Sequence, residues 1–382
     1  METSDDGAFP AKGPTRRNHS VARGGTTHPP CTDDHRRDAT AGTVRHVIDQ
    51  SRRSAEGAVL VTGGAGYIGS HTVRALRAAG RDVVVVDSLE NGHAENVIDV
   101  PLVVGETADR ELVRRVIDEH GVGQLVHFAA YKAVGESMER PGMYFRNNVA
   151  DTVQLLDTCE QAGVTGVVFS SSASVYGTPP ENPVTESSPI EPESVYAETK
   201  AMVERILAWY GRTSAMQSVS LRYFNAAGAS ADGRIGEDWA HSQNLIPHVM
   251  KAVLVEGSRL RIFGDDYDTP DGTGVRDYIH VEDLADAHVK ALEHLADGGE
   301  TTAVNVGTGV GSSVMDVIAA VSEAAGRPVP YDVVARRAGD PTATVADPST
   351  AERILGWTAT RTLDEIARTA YAWHASRVDA SN

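Results

Sequence analysis

Tyr196 and Lys200 stand four apart in Tyr196-Ala197-Glu198-Thr199-Lys200. On a helix this spacing stacks a phenol and an ammonium on one face, a turn apart. A free tyrosine titrates near 10, so a phenol acting as a base near pH 7 needs about 4 kcal/mol of help. A neighbouring cation supplies such help by favouring the phenolate. Ser170-Ser171-Ser172 follow an apolar run and belong at the end of a strand. The second group is Val59-Leu60-Val61-Thr62-Gly63-Gly64-Ala65-Gly66-Tyr67-Ile68-Gly69. Gly63, Gly66 and Gly69 let the backbone turn sharply and approach a pyrophosphate at a helix N-terminus, where free N–H groups favour anions. About twenty residues on, Asp87 ends a β-branched run, where a carboxylate accepts hydrogen bonds from the adenosine ribose hydroxyls and repels a 2′-phosphate. That favours NAD over NADP. A tight turn without ligand, or a surface Tyr beside a snorkelling Lys, would explain either group alone. Together they describe hydride chemistry on an alcohol.

The elements that must position these groups alternate. The pattern predicts strands at Ala58 to Thr62, Asp82 to Asp87, Gln124 to Ala129 and Gly166 to Ser170. Helices are predicted at Tyr67 to Ala79, Asp109 to His120, Pro141 to Ala162 and Tyr196 to Tyr210. Such alternation predicts an α/β fold, a doubly wound parallel sheet of Rossmann type with ligands at the carboxyl ends of its strands. Beyond Ala226 the predicted strands are Arg259 to Phe263, Val275 to Ile279, Ala303 to Val306 and Tyr331 to Val334. Helices there are predicted at Val281 to Leu295, Ser312 to Ala325 and Leu363 to Ala375. Residues 57–225 are therefore read as an NAD-binding domain and 226–382 as a smaller α/β substrate domain, part of which returns to the main sheet. Residues 1–56 lack apolar periodicity beyond a short helical stretch near Val44 to Gln50. They are read as a disordered extension or as the result of a start codon placed too early, and their removal is expected to leave activity intact.

Composition narrows the function classes. The 382 residues hold 53 acids against 35 bases, a net charge of −18, which argues against a nucleic-acid groove. No apolar run reaches the roughly 20 residues of a bilayer span, and no secretory h-region follows Met1. Cys31 and Cys159 are read as free thiols in a reducing, cytoplasmic compartment. The 14 histidines show no metal-ligand spacing, so no metal is expected. Only five of the bases are lysine, which fits a GC-rich genome. The acid excess also fits adaptation to high salt, an idea that full folding and activity without added salt would sink.

Longer segments carry a family resemblance. They are T-G-G-A-G-Y-I-G-S-H at 62–71, H-F-A-A-Y-K-A-V-G-E-S at 127–137 and F-S-S-S-A-S-V-Y-G at 169–177. R-Y-F-N at 222–225, F-G-D-D-Y-D-T-P-D-G-T-G-V-R-D-Y-I-H-V at 263–281 and R-R-A-G-D at 336–340 follow. From about Ala58 to Trp373 the chain resembles the extended short-chain dehydrogenases/reductases, and among them the UDP-glucose (UDP-galactose) 4-epimerases. The resemblance implies that Tyr196 takes the proton of a sugar 4-hydroxyl, that Ser172 shares that hydrogen bond, and that Lys200 contacts the nicotinamide ribose and tunes Tyr196. It matches Gly63, Gly66, Tyr67, Ile68, Gly69, Asp87, Glu106, Phe128, Ala129, Lys132, Asn147 and Phe224 to positions that contact the cofactor. Asn225, Asn244, Leu245, Phe263, Arg276, Arg337, Asp340 and Thr344, with Ser172, match positions around a UDP-hexose. Guanidinium groups bind oxyanions bidentately, so Arg276 and Arg337 suit a diphosphate on an acidic protein. The resemblance further implies a homodimer, with NAD that stays bound because the reaction has no net redox change.

Three residues depart from the family pattern. Glu106 stands where Asp is common near the adenine, Tyr131 replaces a smaller or aliphatic side chain, and Thr344 replaces a bulky Tyr that restricts the sugar pocket. The last change predicts room for an N-acetyl group. Alternative activities on this scaffold are 4,6-dehydration and UDP-glucuronate epimerisation or decarboxylation. A dehydratase needs an acid–base pair of carboxylates just after the serine strand, where this chain has Ser172-Ala173-Ser174. A non-catalytic NAD sensor is the alternative of another class, and it has no use for Ser172, Tyr196 and Lys200 together.

Overall fold

The computed structural model describes residues 57–240, 242–337 and 339–380. The extension 1–56, its short helical stretch and Cys31 lie outside the described residues. The chain opens with β1 (Ala58–Thr62), whose five residues are all buried. It turns through the glycines into α1 (Tyr67–Ala78) and continues with β2 (Val83–Asp87) and β3 (Leu102–Val104). Next come α2 (Arg110–His120) and β4 (Val122–His127). Asp109 caps α2 by accepting from the Leu112 N–H, and Gly121 ends it in the left-handed conformation at φ 62. After α3 (Asp151–Gln161) come β5 (Gly166–Ser170), α4 (Val195–Thr213) and β6 (Gln217–Tyr223).

The later part begins with β7 (Asn225–Ala227), α5 (Leu245–Leu254), β8 (Leu260–Phe263) and β9 (Val275–His280). Then α6 (Val281–Ala296) and β10 (Thr302–Val306) lead to β11 (Gly311–Ser313) and α7 (Val314–Ala325). The last elements are β12 (Tyr331–Val334), β13 (Ala343–Thr344) and α8 (Leu363–Ala380). Seven strands form one parallel sheet in the order β10-β6-β5-β4-β1-β2-β3. Strand order reverses between β1 and β4, the crevice where a doubly wound sheet takes its ligand. β10, from the second half of the chain, closes the edge beside β6.

Helices pack on both faces of the sheet. Val73 and Leu76 of α1 join Leu284, Leu292 and Leu295 of α6 against one face. Val113 and Ile117 of α2, Leu155 of α3, and Val203 and Leu207 of α4 cover the other. A further cluster holds β8 and β9 to α5, α7 and α8 through Val249, Met250, Ile262, Val317 and Ile366. Around it β9 pairs with β11, β13 and β7, and β8 pairs with β12.

Several expected boundaries move. β4 ends at His127, so Phe128 and Ala129 leave the sheet at the switch point rather than extending the strand. The helix predicted from Pro141 to Ala162 is interrupted by a wider π turn at Arg146–Ala150. That turn carries Asn148, whose side chain is fully engaged across the fold. β3, α5, β11 and the helix at Ser349–Leu355 lack a clear period in the sequence. α5 is short and carries Pro247 in its first turn, which masks a helical pattern of exposed His248 and Lys251 against buried Ile246, Val249, Met250 and Val253.

Candidate active site

The glycine loop forms the first wall. Gly63, at φ +74, lies where an added Cβ would sit 2.7 Å from the Ala129 backbone nitrogen. A Cβ on Gly69 would overlap the Gly63 carbonyl. The two strand ends of the switch point thus meet backbone to backbone. Gly66 is the N-cap of α1, with no side-chain cap and no acidic residue in the first turn. Its first-turn N–H groups are left for an anion. Asp87 is buried, and its carboxylate accepts from the Ala65 N–H at 2.9 Å and the Leu89 N–H at 2.9 Å. It braces the loop at the point where a ribose would be read. Glu106 is exposed just past β3, one residue from Gly105, whose N–H bonds the Asp87 carbonyl.

Tyr67 donates its hydroxyl to the Gly228 carbonyl at 2.7 Å and so spans to the second half of the chain. Ile68 packs against the core under α1. Phe128 lies 4.7 Å, centroid to centroid, from the His288 ring. Lys132 reaches to 3.8 Å from the Glu237 carboxylate. Asn147 donates to the Asn148 side chain at 2.9 Å.

Tyr196 enters in the first turn of α4. The Ser194 side chain caps that helix through the Ala197 N–H, and the Ser137 hydroxyl accepts the Tyr196 N–H at 3.1 Å. These two serines fix where the phenol emerges. Tyr196 is buried; burial raises its pKa, and a hydrogen bond with the Ser172 side chain lowers it in part. One turn on, Lys200 donates to the Ser170 carbonyl at 2.7 Å, with its ammonium 5.8 Å from the Tyr196 ring centre. Burial lowers Lys200 to about 7, and the Glu204 carboxylate opposes that shift. Glu204 is itself held by Arg222 at 2.6 Å and by the Ser171 hydroxyl. Phe224, just past β6, is buried against Val175 and Ala201. A dry phenol, a serine and an anchored ammonium therefore share the carboxyl end of β5.

Beyond them opens a cavity of about 490 Å³. It gathers Asn225, Asn244, Leu245, Phe263, Arg276, Arg337 and Asp340, residues spread over more than a hundred positions of sequence. Arg337 stacks on the Phe263 ring at 3.7 Å. Lys251, Arg259 and Arg261 add positive charge to the lining, against the carboxylate of Asp340, while burial and the neighbouring Lys251 and Arg337 lower the pKa of His248. Ser172 and Thr344 are not among its lining residues. Thr344 lies on β13, directly opposite Arg276 of β9 in register.

Several residues of this site are not singled out by the sequence reading. Asn148 holds the Tyr131 backbone from both sides and donates to Thr199 at 3.1 Å. His127 is clamped between the Thr62 and Thr152 hydroxyls at 2.7 and 2.9 Å, and burial lowers it to about 3. Asp277 accepts from the Thr308, Gly309 and Ala346 N–H groups, fixing the neighbours of Arg276 and Thr344. His127, Ser137, Arg222 and Asp277 sit within the motifs at 127–137, 222–225 and 263–281, yet their partners are distant in sequence and only the fold pairs them.

Known proteins share this sequence and fold. Residues 59–307 match the model of the NAD dependent epimerase/dehydratase family. A UDP-glucose 4-epimerase of Lactobacillus helveticus is 43% identical over 320 residues, covering 83% of this chain and 97% of its own. The structure of a UDP-glucose-4-epimerase from Stenotrophomonas maltophila, with bound NAD and formylated UDP-arabinopyranose, superposes with a TM-score of 0.82. It is 41% identical and covers 85% of this chain and 99% of that one. The Bifidobacterium longum enzyme in complex with NAD+ and UDP gives a TM-score of 0.79 at 42% identity, over 84% of this chain and 99% of that one. With its glycine loop, its tyrosine and lysine and its cationic cavity in this order, the chain belongs to the NAD dependent epimerase/dehydratase family, among the UDP-glucose 4-epimerases.

Proposed function

We infer that the protein inverts C4 of a UDP-hexose, using tightly held NAD and a transient 4-keto sugar. The observation that carries this reading is the buried Tyr196, with Ser172 acting on its phenol beside an anchored Lys200, at the strand ends that border the glycine loop. The chain's residues fit NAD: the side-chain-free cradle of Gly63 and Gly69, the uncapped start of α1 and the Asp87 carboxylate suit its pyrophosphate and ribose. NAD, when bound, supplies the hydride acceptor and donor, and its positive ring favours the Tyr196 phenolate.

Tyr196 takes the proton of the 4-hydroxyl, and Ser172 orients that hydroxyl. Lys200, in its charged form, stabilises the phenolate in a site where burial disfavours it. Arg276 and Arg337 hold the diphosphate while the sugar turns its other face, after which Tyr196 returns the proton. The rim after β5 carries Ser172-Ala173-Ser174 and no carboxylate pair, which disfavours dehydration.

Finer assignments follow the same reading. The part up to β6 holds the cofactor, and β7 to β9 with α5 and α7 hold the sugar nucleotide. Thr344, opposite Arg276, leaves room for N-acetylated sugars. The active form is a homodimer. Met138 and Phe145, on short helices that pack against α4, and Trp209 on α4 are exposed apolar side chains suited to a second copy. Purified protein should carry NAD and interconvert UDP-glucose and UDP-galactose. Tyr196→Phe should lower kcat by about a thousandfold while retaining NAD. Full turnover by that variant would sink the mechanism, and an empty protein unable to take up NAD would sink the whole reading.

A further inference from the structure

Glu237 is a buried carboxylate that the mechanism above does not use. Its Oε1 accepts from the Ser242 hydroxyl at 2.6 Å and from the Asn244 Nδ2 at 2.8 Å, and the Lys132 ammonium lies 3.8 Å away. Burial raises its pKa, with Lys132, Ser242 and Asn244 acting in the opposite direction. A carboxylate beside an anion-binding cavity repels a diphosphate, so its presence there calls for a compensating role. Asn244 supplies one. It is the N-cap of α5, a position where Asn usually turns its side chain onto the first-turn N–H groups. Here it makes no such cap, and no acidic residue stands in that first turn. Leu245 and Ile246, which open the helix, line the cavity. Their N–H groups have no intrahelical partner.

We propose that Glu237 is a positioning residue that holds the Asn244 side chain off the start of α5, leaving those N–H groups free for the diphosphate. Lys132, on the cofactor side, balances the charge of Glu237, so one carboxylate ties the two halves of the site together. In its absence Asn244 folds back onto its own helix and competes with the ligand. This inference rests on the UDP-hexose reading of the cavity.

The test is a double-mutant cycle on UDP binding to the NAD-loaded protein by calorimetry, with thermal unfolding to confirm that each variant is folded. Glu237→Ala should weaken UDP by about 10-fold, the worth of one charge-assisted hydrogen bond. In an Asn244→Ala background the same change should cost less than about twofold, because the competing side chain is gone. Glu237→Gln keeps an acceptor at the Oε1 position and should bind UDP within about threefold of the parent. Additive losses, or a Glu237→Gln variant as weak as Glu237→Ala, would overturn the proposal. Failure of the parent protein to bind UDP would instead overturn the substrate reading, so the two failures are separable.

Discussion

At the scale of single residues, the chemistry turns on how burial treats opposite charges. The same dry environment raises Tyr196 and lowers Lys200 to about 7, so each ion is costly alone and less so beside the other. Burial lowers Lys200 to about 7, so the support proposed for the phenolate fades as pH rises through that value. In Lys200→Met that support is missing at every pH. We expect kcat to fall by about 100-fold and the pH at which activity rises to move upward. An unshifted kcat profile against pH would contradict this. At Thr344 the proposed issue is volume. Thr344→Tyr should cut turnover of UDP-N-acetylglucosamine relative to UDP-glucose by about 10-fold, within the range that pocket size controls. Equal loss on both sugars, in a side-by-side kcat/KM comparison, would show that Thr344 does not govern the pocket.

At the scale of elements, the turn from β1 into α1 is the most constrained. Gly69 packs its bare Cα onto Gly63 and Gly64, and this contact lets α1 approach the strand ends. Gly69→Ala forces them apart, which should cost about 1–3 kcal/mol of stability and most of the bound NAD. Both are measurable, by thermal unfolding and by the NAD released on denaturation; retained NAD with an unchanged Tm would refute the close approach. The parallel strands were legible because β1, β2 and β5 are short apolar runs bounded by turn residues. α5 and the π turn at Arg146–Ala150 were not. α5 is held by packing of its apolar face against α7 and α8, and the π turn by the bonds of Asn148 to Tyr131 and Thr199.

At the scale of the whole molecule, buried histidines couple stability to pH. Burial lowers His127 to about 3 and His71, His280, His288 and His374 each to about 4. All five fold as neutral rings with pKa values below that of an unfolded histidine. The unfolded chain therefore binds more protons as pH drops, and stability present above about 6.5 is lost toward about 4. At pH 5 each ring disfavours the fold by about 2 kcal/mol. Thermal unfolding should show Tm falling steeply between pH 7 and pH 5. A flat Tm across that range would mean that these rings are not buried neutral.

The glycine loop, the Tyr196–Lys200 spacing and the order of strands and helices could all be read from the chain itself. Each depends on a backbone conformation or a helical repeat imposed by near neighbours. Proximity in space could not be read that way. The placing of Arg276 and Arg337 in one cavity, of Glu237 beside Lys132, and of Glu204 beside Arg222 brings together side chains from distant parts of the chain. Those encounters exist only once the sheet, its crossovers and the packed faces have brought the segments together. No local pattern encodes the buried charges and hydrogen bonds that result.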